Sequence, residues 1–160
     1  MARTAASVKK RRYKLYYRSA DTFGSAQYAD LSSYNTFLDT FTDAGYCRAG
    51  LGFTTEKGDV EECDDGTEIV MGFNGNFEAE FLQTTVADYT ALEALEGVST
   101  DFLLVPTGTE TLHAICIPAA TPYLGEEVAS GSTEVIKIMY SKTNLAAKSD
   151  FRTRFTIPTS

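Results

Sequence analysis

Histidine and cysteine side chains could serve this chain as acid, base, nucleophile or metal ligand. The sequence contains one histidine, His113, and three cysteines, Cys47, Cys63 and Cys116. A Ser or Cys nucleophile requires a histidine and an orienting acid, but the chain has no Gly-x-Ser-x-Gly motif. His113 itself lies in an apolar segment, which is typical of an imidazole in a core or an interface. We therefore predict no catalytic residues and no enzyme.

The potential metal ligands also lack the spacing of a metal site. Structural zinc sites use closely spaced ligand pairs, whereas Cys47 and Cys63 stand apart in the sequence. The acidic stretch from Glu56 to Glu68 does not match the spacing of a calcium loop, so a solvated hairpin face is the simpler interpretation. We predict no metal and no cofactor. The odd number of cysteines favours free thiols in a chain made in a reducing cytoplasm.

Charge is divided unevenly along the chain. Residues 1–18 carry seven of the 14 Lys and Arg and none of the 22 Asp and Glu, so the other 142 residues have a formal net charge of −15. A basic segment of this kind is expected to bind a polyanion, either nucleic acid or the acidic body of an identical copy. Confinement of the cations to one terminus favours the second, because a groove-binding domain spreads them over a folded face. The predicted arm contacts are Arg3, Lys9, Lys10, Arg11, Arg12, Lys14 and Arg18.

The elements that must position these residues are mainly β-strands. Aromatic and β-branched residues are frequent and 12 glycines supply turns, a composition typical of sheets. We divide the chain into a basic, flexible arm at 1–12 and a single domain at 13–160. Residues 21–49 are predicted to form a long loop with one helical turn, whose Tyr34, Phe37 and Phe41 contact another subunit.

Alternation and turn signals place the remaining elements. Asp65-Gly66 predicts a hairpin, Asn74-Gly75 a second turn, and Thr85 with Asp88 the start of a helix near 86–96. The predicted strands begin at Tyr13 and cover 60–63, 67–73, 76–82, 101–105, 111–117, 134–141 and 150–157. The fold class is therefore mainly β, a β-sandwich or barrel of about seven or eight strands flanked by one α-helix. No apolar run approaches the roughly 20 residues of a membrane helix, so we expect no membrane partner.

Residues 58–105 carry a family resemblance. The segments Gly58-Asp59-Val60-Glu61, Asp65 to Gly72 and Gly75 to Leu82, followed by a helix and the strand Asp101–Val105, resemble a bacteriophage tail tube protein. The resemblance implies a virion structural protein, assembled in the host cytoplasm, whose subunits close into stacked hexameric rings around a channel for the genome. It also implies ring-to-ring contacts through the long loop and the termini, and therefore roles for residues 21–49 and the arm.

The channel hypothesis assigns a place to Glu78 and Glu80. They alternate with the apolar Phe77, Ala79 and Phe81, so they share one face of a strand. An acidic lining would repel the phosphates of DNA in transit, although an ordinary solvated sheet face has the same pattern. Other virion proteins are expected partners. A capsid decoration protein, a head-tail connector protein and a virion protein that binds nucleic acid through the arm remain alternatives.

Overall fold

A computed structural model of the chain describes residues 12–45, 47, 51–82, 85–107 and 113–159. The arm prediction at 1–12 thus lies outside the described residues except for Arg12. Two helices are present, α1 at Leu31–Asp39 and α2 at Val86–Glu93, with short 3-10 helices at Ser25–Tyr28 and Lys148–Asp150. The strands are β1 Tyr13–Ser19, β2 Thr42–Asp43, β3 Gly52–Lys57, β4 Val60–Glu62, β5 Glu68–Val70, β6 Phe73–Leu82, β7 Thr100–Pro106, β8 His113–Ala120, β9 Tyr123–Glu127, β10 Val135–Leu145 and β11 Thr153–Thr156.

The strands form a β-sandwich, which confirms the predicted fold class. One sheet has the order β11-β8-β7-β1-β2 and the other the order β3-β6-β10-β9, while β4 and β5 form a separate two-stranded sheet. Every pairing among the described residues is antiparallel. Short strands such as β2 and β9 raise the strand number above the prediction, because two- to five-residue segments leave little periodicity to read.

The main core lies between the two large sheets. Alternation along β6 directs Phe77, Ala79 and Phe81 inward, as predicted, and all three are buried. The Phe77 ring meets that of Phe102 on β7 with centroids 5.0 Å apart. Each such buried side chain contributes about 1.5–3 kcal/mol relative to an exposed one. Alternation alone was sufficient to orient this strand.

Helix α1 covers the opposite face of the five-stranded sheet, where the sequence predicted a long loop with one helical turn. Asp30 caps the helix by accepting a hydrogen bond from the Ser33 amide at 2.7 Å. Tyr34 and Phe37 on α1, and Phe41 just after it, pack on Leu103 and Phe155. The Ser, Thr and Asn residues between them disfavour a helix, but burial of the aromatic rings outweighs that preference. Segment 21–49 is therefore partly helical and forms a third layer.

Strand β6 runs through the predicted turn at Asn74-Gly75. Gly75 pairs with Thr55 on one side and Lys142 on the other. A Cβ atom at Gly75 would lie 2.4 Å from two carbons of the Phe151 ring. The glycine is present because an aromatic ring lies directly on the strand, not because the chain turns there.

Helix α2 begins where the sequence predicted. The Thr85 hydroxyl accepts a hydrogen bond from the Asp88 amide at 3.2 Å and donates one to the Asp88 carboxylate at 2.8 Å. The helix ends at Glu93, and turns lead on to Gly97, whose φ is +73°. Leu92 is buried against the main core. Val86, the first residue of the helix, is 84% exposed.

Candidate assembly surface

The predicted arm contacts divide into three groups in the structure. Arg3, Lys9, Lys10 and Arg11 lie outside the described residues. Arg12 is exposed, and its carbonyl accepts hydrogen bonds from the Thr107 amide and hydroxyl at 3.0 and 3.3 Å. These bonds anchor the end of the arm beside β7. A contact between the arm and another subunit stays a prediction.

Lys14 contacts a carboxylate of its own chain. Its Nζ lies 2.6 Å from Asp43 on β2 and 5.7 Å from the centroid of the Tyr16 ring. Burial alone would raise the pKa of Asp43, but hydrogen bonds from Lys14 and from the Gly45 amide lower it below its usual value. Both side chains remain more than one third exposed. The pair therefore ties β2 to β1 at the surface.

Arg18 belongs to the interior of the protomer. Its Nε lies 3.0 Å from Oδ2 of Asp101, and its Nη1 donates to the Thr40 hydroxyl at 2.8 Å. The rings of Phe23, Phe37 and Phe41 surround the guanidinium carbon at 5.1, 5.2 and 4.6 Å. Aromatic faces and a buried carboxylate therefore hold this guanidinium inside its own chain, although its Nη2 has no hydrogen-bond partner among the described residues. This placement corrects the assignment of Arg18 to the cationic surface of the arm.

Tyr34, Phe37 and Phe41 likewise lie under the surface, with at most 8% of each side chain exposed. Burial raises the pKa of Tyr34 to about 12. Their rings form the outer core described above, so they are not displayed to a neighbouring subunit. A subunit contact through α1 stays a prediction, and it would use the exposed side chains of the helix, which are Leu31, Ser32, Asn35, Thr36 and Asp39.

Glu78 and Glu80 lie together on the outer face of the four-stranded sheet. Lys137 on β10 pairs in register with Glu80 and contacts both carboxylates, at 3.2 Å for Glu78 and 3.1 Å for Glu80. Hydrogen bonds to Glu80 and then to Glu78 raise the pKa of Lys137. The sequence did not reveal this lysine, because it comes from a strand more than fifty residues further along. The face is thus less acidic than β6 alone indicated.

A shallow groove of about 500 Å³ continues from Glu78 across the same face. Gly52 and Thr54 on β3 form one wall, and Met139 and Ser141 on β10 form the other. The Ser141 hydroxyl lies 2.7 Å from the Asn76 side-chain oxygen. Amide, hydroxyl and thioether groups of this kind provide hydrogen bonding and contact area, but no nucleophile paired with a base. The groove suits a packing surface more than a reaction site.

His113 and two of the cysteines are the remaining side chains that the sequence offered for acid, base or nucleophile roles. His113 is exposed at the start of β8, and its Nε2 lies 2.7 Å from Nη1 of Arg154. It therefore lies at the surface, not in the core. Burial raises the pKa of the Cys47 thiol to about 12 and that of Cys116 further, which disfavours the reactive thiolate. Within the described residues, no three His, Cys, Asp or Glu side chains are grouped to hold a metal ion. None of the described helices is both long enough and apolar enough to span a bilayer.

The two-stranded sheet of β4 and β5 forms a further exposed surface. The hairpin was predicted, and the turn at Asp65-Gly66 is as expected, with φ of +84° at Gly66. Yet all six of its strand residues are exposed, including Val60, Ile69 and Val70. β4 and β5 pair only with each other in the described part of the chain. We call this element, residues 59–71, the acidic hairpin.

Comparison with known proteins gives a similarity in fold. No family model matches the sequence, and no curated protein is similar to it at a significant level. Among solved structures, the chain is similar to a chain of the anti-feeding prophage (AFP) baseplate, determined by cryo-EM with 6-fold symmetrisation. The TM-score is 0.51 at 8% sequence identity, and the alignment covers 99% of this chain and 98% of the other. The likeness therefore extends over the whole sandwich, including both helices.

Proposed function

We propose that this protein is a structural subunit of a phage tail or phage tail-like particle, and that it assembles with copies of itself into rings. The observation that carries the proposal is the end-to-end likeness to a chain of the AFP baseplate, whose structure is 6-fold symmetrised. Because the alignment covers 99% of this chain and 98% of the other, the likeness supports a shared architecture and not a common sandwich fragment. The proposed role involves no catalytic step.

The finer proposal is that the rings stack into a tail tube. The unequal charge of the arm and the body supports self-assembly, because arms with excess cations can neutralise the acidic bodies of adjacent copies. The outer face of the four-stranded sheet, with Glu78 and Glu80, is our candidate for the channel lining. It is broad, polar and without a covering element among the described residues.

A second candidate function is that of a baseplate ring subunit, since the similar chain comes from a baseplate. The two roles differ in how far assembly proceeds. A tube subunit stacks ring upon ring, whereas a baseplate subunit stops at one ring until other components bind.

Electron microscopy of the purified protein tests these roles. We expect rings with 6-fold symmetry at low concentration and tubes of increasing length at high concentration. Rings that never stack would favour the baseplate role. A protein that sediments as a monomer at every concentration would contradict the proposed function itself.

A further inference from the structure

The acidic hairpin is an incomplete sheet. A two-stranded sheet is at best marginally stable in water unless a third strand or a packing surface supports it. Here none of the six strand residues is buried, and Val60, Ile69, Val70 and Met71 are each 38–49% exposed. Exposed apolar side chains on a sheet with open edges mark a place where another chain adds.

The register of the hairpin shows which chemistry the missing strand must have. Val60 pairs with Val70, and Glu62 pairs with Glu68 on the same face. Like charges directly opposite each other destabilise an antiparallel pair. Lys57 lies 3.7 Å from Glu68, but both side chains are about 60% exposed, so this ion pair relieves little of the repulsion.

Each face of the hairpin combines apolar and acidic side chains. Glu61 pairs with Ile69 on the face opposite to Val60 and Val70. In sequence, residues 56–71 hold seven acids and one lysine. A strand that fits must therefore present cations to both faces together with short apolar groups.

We propose that the N-terminal arm, residues 1–12, of a second copy adds to the acidic hairpin as a third strand. In an extended arm, Lys9 and Arg11 lie on one face and Val8 and Lys10 on the other, so both faces receive cations. Twelve extended residues span about 40 Å, which exceeds the length of the three-residue strands β4 and β5. The backbone supplies the hydrogen bonds and the charges select the partner. This inference rests on the proposed self-assembly and names the two surfaces that join.

Charge reversal on each surface tests the pairing. The arm variant K9E/K10E/R11E and the hairpin variant E61K/E62K/E68K should each remain folded, because the three hairpin acids are exposed and the sequence predicts a flexible arm. Each should need at least tenfold more protein than the wild type for half-assembly, measured by sedimentation velocity and light scattering. An equimolar mixture of the two variants should recover assembly, because every reversed arm then meets a reversed hairpin.

A control and a combined variant complete the test. Reversal of the exposed Glu93, Glu96 and Glu127 to lysine changes the charge by the same amount as the hairpin variant, and should leave assembly within threefold of the wild type. The variant that combines the arm and hairpin reversals in one chain should assemble.

The outcomes separate the two proposals. A wild type that assembles together with a hairpin variant that assembles equally well would overturn the inference and leave the proposed function standing. Recovery in the combined variant but not in the mixture would show that the arm binds its own hairpin, which also overturns it. Failure of both to recover would refute the pairing of these charges. A monomeric wild type would overturn both proposals.

Discussion

At the scale of single residues, the buried pair of Arg18 and Asp101 organises the outer half of the protein. Asp101 accepts from Arg18, from the Asp21 amide at 3.1 Å and from the Ala119 amide at 2.9 Å. The Asp101 carboxylate thus links β1, the segment between β1 and α1, and β8. Both side chains are less than one tenth exposed, so neither charge is screened by water.

We predict that Asp101→Asn destabilises the protein by about 3–5 kcal/mol, because it leaves the Arg18 charge buried without its counter-ion. Chemical denaturation followed by circular dichroism measures the loss. Asp43→Asn is the matched control. It removes a carboxylate that pairs with Lys14, which lies on β1 as Arg18 does. This ion pair is at the surface, so its loss should cost about 1 kcal/mol or less. Equal losses in the two variants would contradict the internal role of Arg18.

At the scale of elements, the packing of Phe151 on β6 requires a glycine at position 75. Gly75 lies within β6 under the Phe151 ring, and the Tyr140 ring stacks on Phe151 with centroids 5.7 Å apart. The strand, the end of β10 and the short helix before Phe151 meet at this point. No side chain fits between the ring and the strand.

We predict that Gly75→Ala lowers the free energy of unfolding by about 1–3 kcal/mol, because the added methyl group must displace the Phe151 ring. Thermal unfolding gives the comparison. Gly52→Ala is the matched control in the adjacent strand, since a Cβ there would have no atom within 4 Å. A loss at Gly52 as large as that at Gly75 would show that the strand backbone, and not the ring, requires glycine.

At the scale of the whole molecule, we predict that the arm is separable from the folded body. The described sandwich has its main core between the sheets and its outer core beneath α1. We predict that deletion of residues 1–12 leaves the monomer folded and abolishes assembly beyond it. Circular dichroism checks the fold, and electron microscopy checks assembly. Tubes formed by the truncated protein would contradict the role of the arm.

The proposed channel lining is a property of the assembly. If the face with Glu78 and Glu80 surrounds a channel, E78K/E80K tubes should retain duplex DNA at low salt and release it as salt rises, because three lysines including Lys137 then face the phosphates. Wild-type tubes should retain none. Gel filtration with labelled DNA measures retention, and E78Q/E80Q tests whether loss of the acids alone suffices. If the E78K/E80K tubes retain no more DNA than wild-type tubes, the face with Glu78 and Glu80 does not line the channel.

Local sequence determined the strands with clear alternation, the cap of α2 and the turn of the acidic hairpin. Such features depend on neighbours within a few residues, as in Phe77 to Phe81 or Thr85 with Asp88. The separation of a basic N-terminal segment from an acidic remainder is likewise a property of the sequence, because it does not depend on how the chain folds.

Tertiary structure alone decided what the remaining residues do. The sequence assigns Arg18 to the basic arm, because its counter-ion Asp101 is 83 positions away and the pairing exists only in the folded chain. Tyr34, Phe37 and Phe41 form a core because β7 and β8 offer them a second apolar face, and Gly75 is a contact with Phe151 and not a turn. The physical reason is that burial and charge pairing depend on which surfaces meet in space, and strands distant in sequence supply those surfaces.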